Sequence, residues 1–92
     1  MAKPIYYDMD PPMEVERFDQ VEFPERGWGI NEYGQRDFVE WGVPAVVTRI
    51  VSRTKVAVRY FDSLEVVKST GDPKARVIHV DVRDLTLIAR DG

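Results

Sequence analysis

Residues 44–61, PAVVTRIVSRTKVAVRYF, constrain this chain more than any other stretch. Residues 45–51 and 55–61 are rich in β-branched side chains, which are stiff at χ1 and pack well on a pleated surface. Ser52-Arg53-Thr54 between them is short and polar, as a hairpin loop is. An odd-numbered loop sets Ile50 against Val56, Thr48 against Val58 and Val46 against Tyr60. It leaves Arg49, Lys55 and Arg59 on the opposite face, among Val47, Val51, Ala57 and Phe61. One apolar face and one mixed basic face are what a half-buried antiparallel pair requires. A five-residue loop keeps that parity without forcing Thr54 into the left-handed region. The predicted core is Val46, Ile50, Val56 and Val58, joined by Leu85 and Leu87.

The segments on either side are organised around this hairpin. Residues 1–26 form an extended N-terminal arm. Prolines at 4, 11, 12 and 24 exclude a continuous helix and most central-strand assignments. Pro11-Pro12 favours a short polyproline II stretch. Apolar groups such as Ile5, Tyr7, Met9, Val15, Val21 and Phe23 recur too often for a purely solvating tail. Residues 27–43, GWGINEYGQRDFVEWGV, have a loop-like composition, with four glycines among two tryptophans, a tyrosine and a phenylalanine. Beyond Phe61, residues 64–68 are predicted as a third strand and residues 69–74 as a loop. Residues 75–82 are predicted as a fourth strand, with Val77, His79 and Asp81 on one face. A turn at Arg83-Asp84 leads to a closing strand over 86–89. The domain of residues 44–92 is therefore all-β.

Parts of this pattern resemble the SH3-like barrels of the Tudor and KOW type. The likeness is carried by Gly42 with Ala45-Val46-Val47-Thr48-Arg49-Ile50, by Val56-Ala57-Val58-Arg59-Tyr60-Phe61-Asp62, and by Val82-Arg83-Asp84-Leu85-Thr86-Leu87-Ile88. It covers residues 42–89, about half the chain. It implies a small five-stranded barrel with a one-turn break before the last strand. Where such barrels carry an aromatic cage, Trp41, Tyr60 and Phe61 are the residues placed for one here. Small barrels host many functions, so the resemblance speaks to fold more than to activity.

Composition narrows the function classes. At 92 residues the chain is one domain with a modest core. There is no cysteine, hence no disulfide framework and no thiolate metal site. No run of about 18 apolar residues could span a membrane, and the N-terminus has no apolar signal-like region, so synthesis inside the cell is expected. The net charge of −3 hides an asymmetry: residues 1–40 hold ten acidic and four basic residues, residues 41–92 six acidic and nine basic. The single histidine, His79, has no second histidine to complete a metal set or a general-base pair, and its strand position suits a structural role. Asp8, Asp10, Glu14 and Glu16 alternate but lack the glycine and the terminal glutamate of a calcium loop. Gly27-Trp28-Gly29 lacks the Lys-Ser/Thr of a phosphate loop. Neither enzyme nor cofactor is expected.

What remains is binding. Tyr6, Tyr7, Phe18, Trp28, Tyr33 and Trp41 are candidate anchors for a protein partner, since large aromatic side chains dominate interfaces. The leading expectation is an interaction module, a structural or assembly subunit that docks its arm and aromatic loop onto a larger complex. A virion or other multi-subunit particle would suit it. An arm of that kind should be dispensable for folding of the barrel. The alternative is nucleic-acid binding through Arg49, Arg53, Lys55 and Arg59. A further alternative is an acidic inhibitor that occupies a basic groove with residues 8–25.

Overall fold

A computed structural model describes residues 4–61 and 74–90. Two short strands, β1 (Tyr6–Tyr7) and β2 (Met13–Glu14), pair with each other. The main sheet is antiparallel and holds β3 (Gln20–Ile30), β4 (Arg36–Ile50), β5 (Lys55–Phe61), β6 (Ala75–Asp81) and β7 (Thr86–Ala89), in the order β6-β5-β4-β3-β7. A 3₁₀ turn, Val82–Asp84, links β6 to β7. Asp81 caps it by accepting the Arg83 N–H at 2.9 Å. The third strand expected at 64–68 and most of the loop expected at 69–74 lie outside the described residues.

The all-β expectation holds, with five strands in the main sheet, but the sheet is not closed into a barrel. Its inner face is covered instead by the arm. Ile5, Tyr7 and Val15 belong to the same buried cluster as Val21, Phe23, Ala45, Val47, Val56, Val58, Val82 and Leu85. The arm of residues 1–26 is therefore not a separate appendage. It supplies a layer of the core, and its last residues, from Gln20, are already strand β3.

The segment 27–43, expected as a loop, is the outer part of the β3–β4 hairpin. All eleven residues of β3 pair with β4, from Gln20↔Val46 out to Ile30↔Arg36. Asn31 closes the turn. Its side-chain oxygen accepts the N–H groups of Tyr33 and Gln35, both at 2.9 Å, and Gly34 takes φ +75°. A three-residue loop ending in a left-handed glycine is a favoured way to join antiparallel strands. Gly27 and Gly29 are not turn glycines at all. A Cβ on Gly27 would stand 2.9 Å from Cη2 of Trp41, and one on Gly29 2.7 Å from Cγ2 of Val39. The two glycines are seats for larger side chains from the opposite strand.

Two prolines decide where the sheet narrows. Pro24 lies opposite Gly42 and Pro44 opposite Glu22. A proline has no N–H for the ladder, so its nitrogen is tolerated only facing a free edge. β7 pairs with β3 only at Gln20 to Glu22, just short of Pro24. β5 pairs with β4 only from Val46 onward, just past Pro44. Beyond the two prolines the hairpin continues as a ribbon of two strands, and the molecule is elongated, 47 × 31 × 24 Å.

The central hairpin corrects the expected core. Ile50 pairs with Val56 as the five-residue loop requires. A bulge between Val47 and Arg49 then shifts the register by one residue, so that Val47 meets Val58 and Val46 meets Arg59. A one-residue shift exchanges the faces of everything beyond it. Beyond the bulge Val47 is fully buried and Val46 is 37 % exposed, whereas Ile50, on the unshifted side and still opposite the buried Val56, is 44 % exposed because it is the last residue of β4. Val56, Val58 and Leu85 are buried as expected, and Leu87 is partly buried.

Candidate interaction surface

The arm is locked down by one buried carboxylate. Asp19 is 1 % exposed and accepts from the Tyr7 hydroxyl at 3.0 Å, the Glu16 N–H at 2.9 Å, and Nε and Nη2 of Arg90, each at 2.7 Å. Arg90 also donates to the Glu14 carbonyl at 2.6 Å, tying both ends of the described chain together. Burial alone pushes the Asp19 carboxyl up, but the bonds from Arg90, Glu16 and Tyr7 outweigh it and hold the group below the usual carboxylate range. The same site pushes the Tyr7 hydroxyl well above its ordinary value, by burial first and then by the Asp19 charge. The hydrogen bonds to Asp19 raise the Arg90 pKa in turn. Phe18, just before Asp19, has φ +73°, a conformation that costs a bulky side chain energy. Its N–H donates to the Val47 carbonyl at 2.7 Å and its ring stays 60 % exposed.

Tyr7 is thereby removed from the candidate anchors: it is 2 % exposed and serves the core. The other five are at the surface. Tyr6 is 48 %, Phe18 60 %, Trp28 67 %, Tyr33 79 % and Trp41 41 % exposed. They do not form one cluster. Trp28 lies on the ribbon, directly opposite Phe38, with ring centroids 5.9 Å apart in an edge-to-face contact. Phe38 and Ile30, 57 % and 68 % exposed, were absent from the sequence-based set. Their signal is in the sequence: with the turn centred on Tyr33, period-2 pairing sets Phe38 against Trp28 and Arg36 against Ile30. Next along the ribbon, Arg26 and Glu40 form an exposed ion pair of 2.7 Å.

A second feature opens at the ribbon's base, where β4 leaves β5. It is an open groove of about 950 Å³ whose lining includes Phe18, Trp41, Val46, Arg59, Tyr60 and Phe61. The three residues that the resemblance places for a cage, Trp41, Tyr60 and Phe61, do share this groove. Trp41 donates from Nε1 to Glu25 at 3.2 Å. Tyr60 packs edge-to-face on Phe23 at 5.1 Å, so its ring is partly committed to the core.

The basic candidates also fall into place. Cross-strand rows on the outer face of the sheet, opposite the arm, are Val46–Arg59–Val77, Arg49–Ala57–His79 and Lys55–Asp81. Arg49, Lys55 and Arg59 thus share one face, and Arg53 lies in the exposed turn beside it. Arg59 stands 5.8 Å from the centroid of the Phe61 ring. Of the four acidic residues at 8–16, Glu16 reaches Arg90 at 3.5 Å. Among the described residues no three His, Asp or Glu side chains come together as a metal site.

The fold and surface define a small all-β domain with a projecting aromatic ribbon and a basic outer sheet face. No protein-family model, no curated protein and no solved structure matches the chain.

Proposed function

We propose that this protein is a non-enzymatic interaction module, a structural or assembly subunit that docks onto a larger complex through its aromatic ribbon. The observation that carries this reading is the Trp28–Phe38 pair. Both rings are more than half exposed on a two-stranded ribbon, together with Ile30. Interface hot spots are enriched in such residues, and an isolated apolar patch on a projecting element marks a contact site. Tyr6 and Phe18 are the arm's aromatic contribution to docking, because Tyr7, with Ile5 and Val15, is spent on the core. A multi-subunit particle such as a virion is the setting that suits such a subunit. On the fold, the meander order with its last strand returning beside β3 after a 3₁₀ turn supports an SH3-like reading of the domain.

The test is incorporation. In a native extract, Trp28→Ala combined with Phe38→Ala should remove the protein from its high-mass fraction while its thermal melt stays nearly unchanged. Normal co-sedimentation of a folded double variant would sink the reading.

A second reading, nucleic-acid binding, is supported by the placement of Arg49, Lys55 and Arg59 on one face. Affinity should then fall steeply with salt, and Arg53→Ala with Arg59→Ala should flatten the slope. Absence of DNA or RNA binding at low salt removes it. An acidic inhibitor using residues 8–25 has less support, since Asp19 is turned inward.

A further inference from the structure

We infer that the outer face of the sheet binds single-stranded nucleic acid, with bases stacking on Phe18 and Phe61 and phosphates held by Arg17, Arg49 and Arg59. The inference rests on the nucleic-acid reading and names its ligand class and contacts. It does not use the Trp28–Phe38 pair, so the ribbon's docking role is independent of it.

Two exposed phenylalanines line one groove from different strands. Phe61 ends β5, Phe18 stands just before β3, and β4, with Val46, runs between them. Both rings are more than half exposed. Each has an arginine beside it. The Arg17 guanidinium lies 4.8 Å from the centroid of the Phe18 ring, and that of Arg59 lies 5.8 Å from the centroid of the Phe61 ring. Phe18 holds its ring there from the left-handed region, at φ +73°, where a bulky side chain is strained. Strain kept with no gain in burial points to a function for the ring.

The cations on and beside this face are not neutralised by the chain's own acids. Arg17, Arg49, Arg53 and Arg59 form no ion pair among the described residues. Asp81, opposite Lys55, is already engaged by Arg83, accepting from its backbone N–H at 2.9 Å and from Nε at 3.3 Å. Glu25, elsewhere in the groove lining, accepts from Trp41. In a protein of net charge −3, this leaves a local excess of positive charge next to exposed rings. Val46 and Val77 flank Arg59 in its cross-strand row and give the surface an apolar floor.

The combination of ring and cation selects the ligand. Stacking on an aromatic side chain needs an open base face, and phosphates answer the arginines. A duplex offers only base edges in its grooves, so it would engage the arginines and leave Phe18 and Phe61 unused. A single strand satisfies both groups at once. With β4 between them, the two rings are separated by two strand spacings, on the order of 10 Å across the sheet. A few nucleotides of extended strand span that distance.

The test is fluorescence anisotropy on the full chain in low salt, with labelled oligothymidylate of about 15 nucleotides beside a DNA duplex of the same length. The single strand should bind about tenfold or more tightly than the duplex. Phe18→Ala and Phe61→Ala should each weaken single-strand binding about fivefold or more without changing its salt dependence. Arg59→Ala should weaken it too, and should lower the slope of log affinity against log salt by roughly 0.7. Trp28→Ala with Phe38→Ala should leave the affinity unchanged; a loss there would place the strand on the ribbon and overturn the inference. Circular dichroism checks that each variant is folded. Equal affinity for strand and duplex, or indifference to both phenylalanine variants, overturns the inference and leaves nucleic-acid binding standing. Displacement of the strand by polyglutamate as readily as by unlabelled oligothymidylate overturns it in favour of an acidic peptide. No binding of either nucleic acid overturns both the inference and the nucleic-acid reading itself.

Discussion

At its base the β3–β4 hairpin buries Val21, Phe23, Ala45 and Val47 against the arm. Farther out, beyond Pro24 and Pro44, the same two strands leave Trp28, Ile30 and Phe38 more than half exposed. The local ingredients are alike: alternating side chains, antiparallel pairing, large apolar groups. What differs is lateral support. The base has β5 on one side, β7 on the other and the arm above it, while the ribbon has none of these. A two-stranded hairpin alone is marginal in water. Here it is extended from a supported base and stiffened by cross-strand contacts, with Trp41 over Gly27 and Val39 over Gly29. Aromatic content alone therefore does not tell core from contact surface. Tyr7 and Trp28 are both anchors by residue type, and only the first is packed.

The sharpest way to break this contrast is to remove the cover. Deletion of residues 1–19 takes away Ile5, Tyr7, Val15 and Asp19 together and should unfold the remaining chain, seen as loss of a cooperative melt. A truncated protein that keeps its melting temperature would show that the arm is not part of the core.

Next in size is the carboxylate lock. Asp19→Ala should cost about 3 kcal/mol, the low end for removing one partner of a buried ion pair, because Arg90 retains some access to water. Chemical denaturation measures it. The pH dependence has a defined sign. Asp19 is held low in the fold, so its contribution is complete above about pH 4, the unfolded carboxyl's range, and is lost as pH falls through the folded value. Tyr7 is held high, so its contribution is complete below about pH 10 and is lost as pH rises further. Asp19→Ala should flatten the acid limb of the stability curve. An unchanged acid limb would mean that another group governs it.

The bulge gives a paired test within one strand. Val47→Ala should cost about 1–3 kcal/mol in lost burial and residual cavity. Val46→Ala, one residue away, should stay within about 0.5 kcal/mol. Equal costs would place the register shift elsewhere.

The smallest effects belong to the ribbon. Breaking the Arg26–Glu40 pair with Glu40→Gln should change stability by about 0–1 kcal/mol, since both side chains are more than half exposed. Trp28→Ala should be similarly mild. A large loss of stability from either change would make the ribbon a structural element rather than a contact surface.

Much of this was legible in the chain itself. β-branched runs at 45–51 and 55–61, bounded by polar turn residues, specify strands because such side chains favour a pleated surface over a helix. The loop at 51–55 fixes the Ile50–Val56 pair by parity. The residues 31–34, Asn-Glu-Tyr-Gly, also encode a hairpin turn, since an Asn side chain can bridge two backbone N–H groups and only glycine takes the left-handed position without cost. That signal is hidden by Gly27, Gly29 and Gly42, which look like loop residues until the opposite strand is in place. Tertiary structure alone decided the rest. The bulge at Thr48 exchanges Val46 for Val47 in the core, and nothing local announces it. Asp19 is one acid among ten in residues 1–40, and only the return of Arg90 from the far end of the chain makes it the lock. An arm rich in prolines and carboxylates becomes a core layer because the open sheet presents an apolar face that needs covering. Sequence spacing fixes which side chains share a strand face, but long-range packing fixes which face meets water.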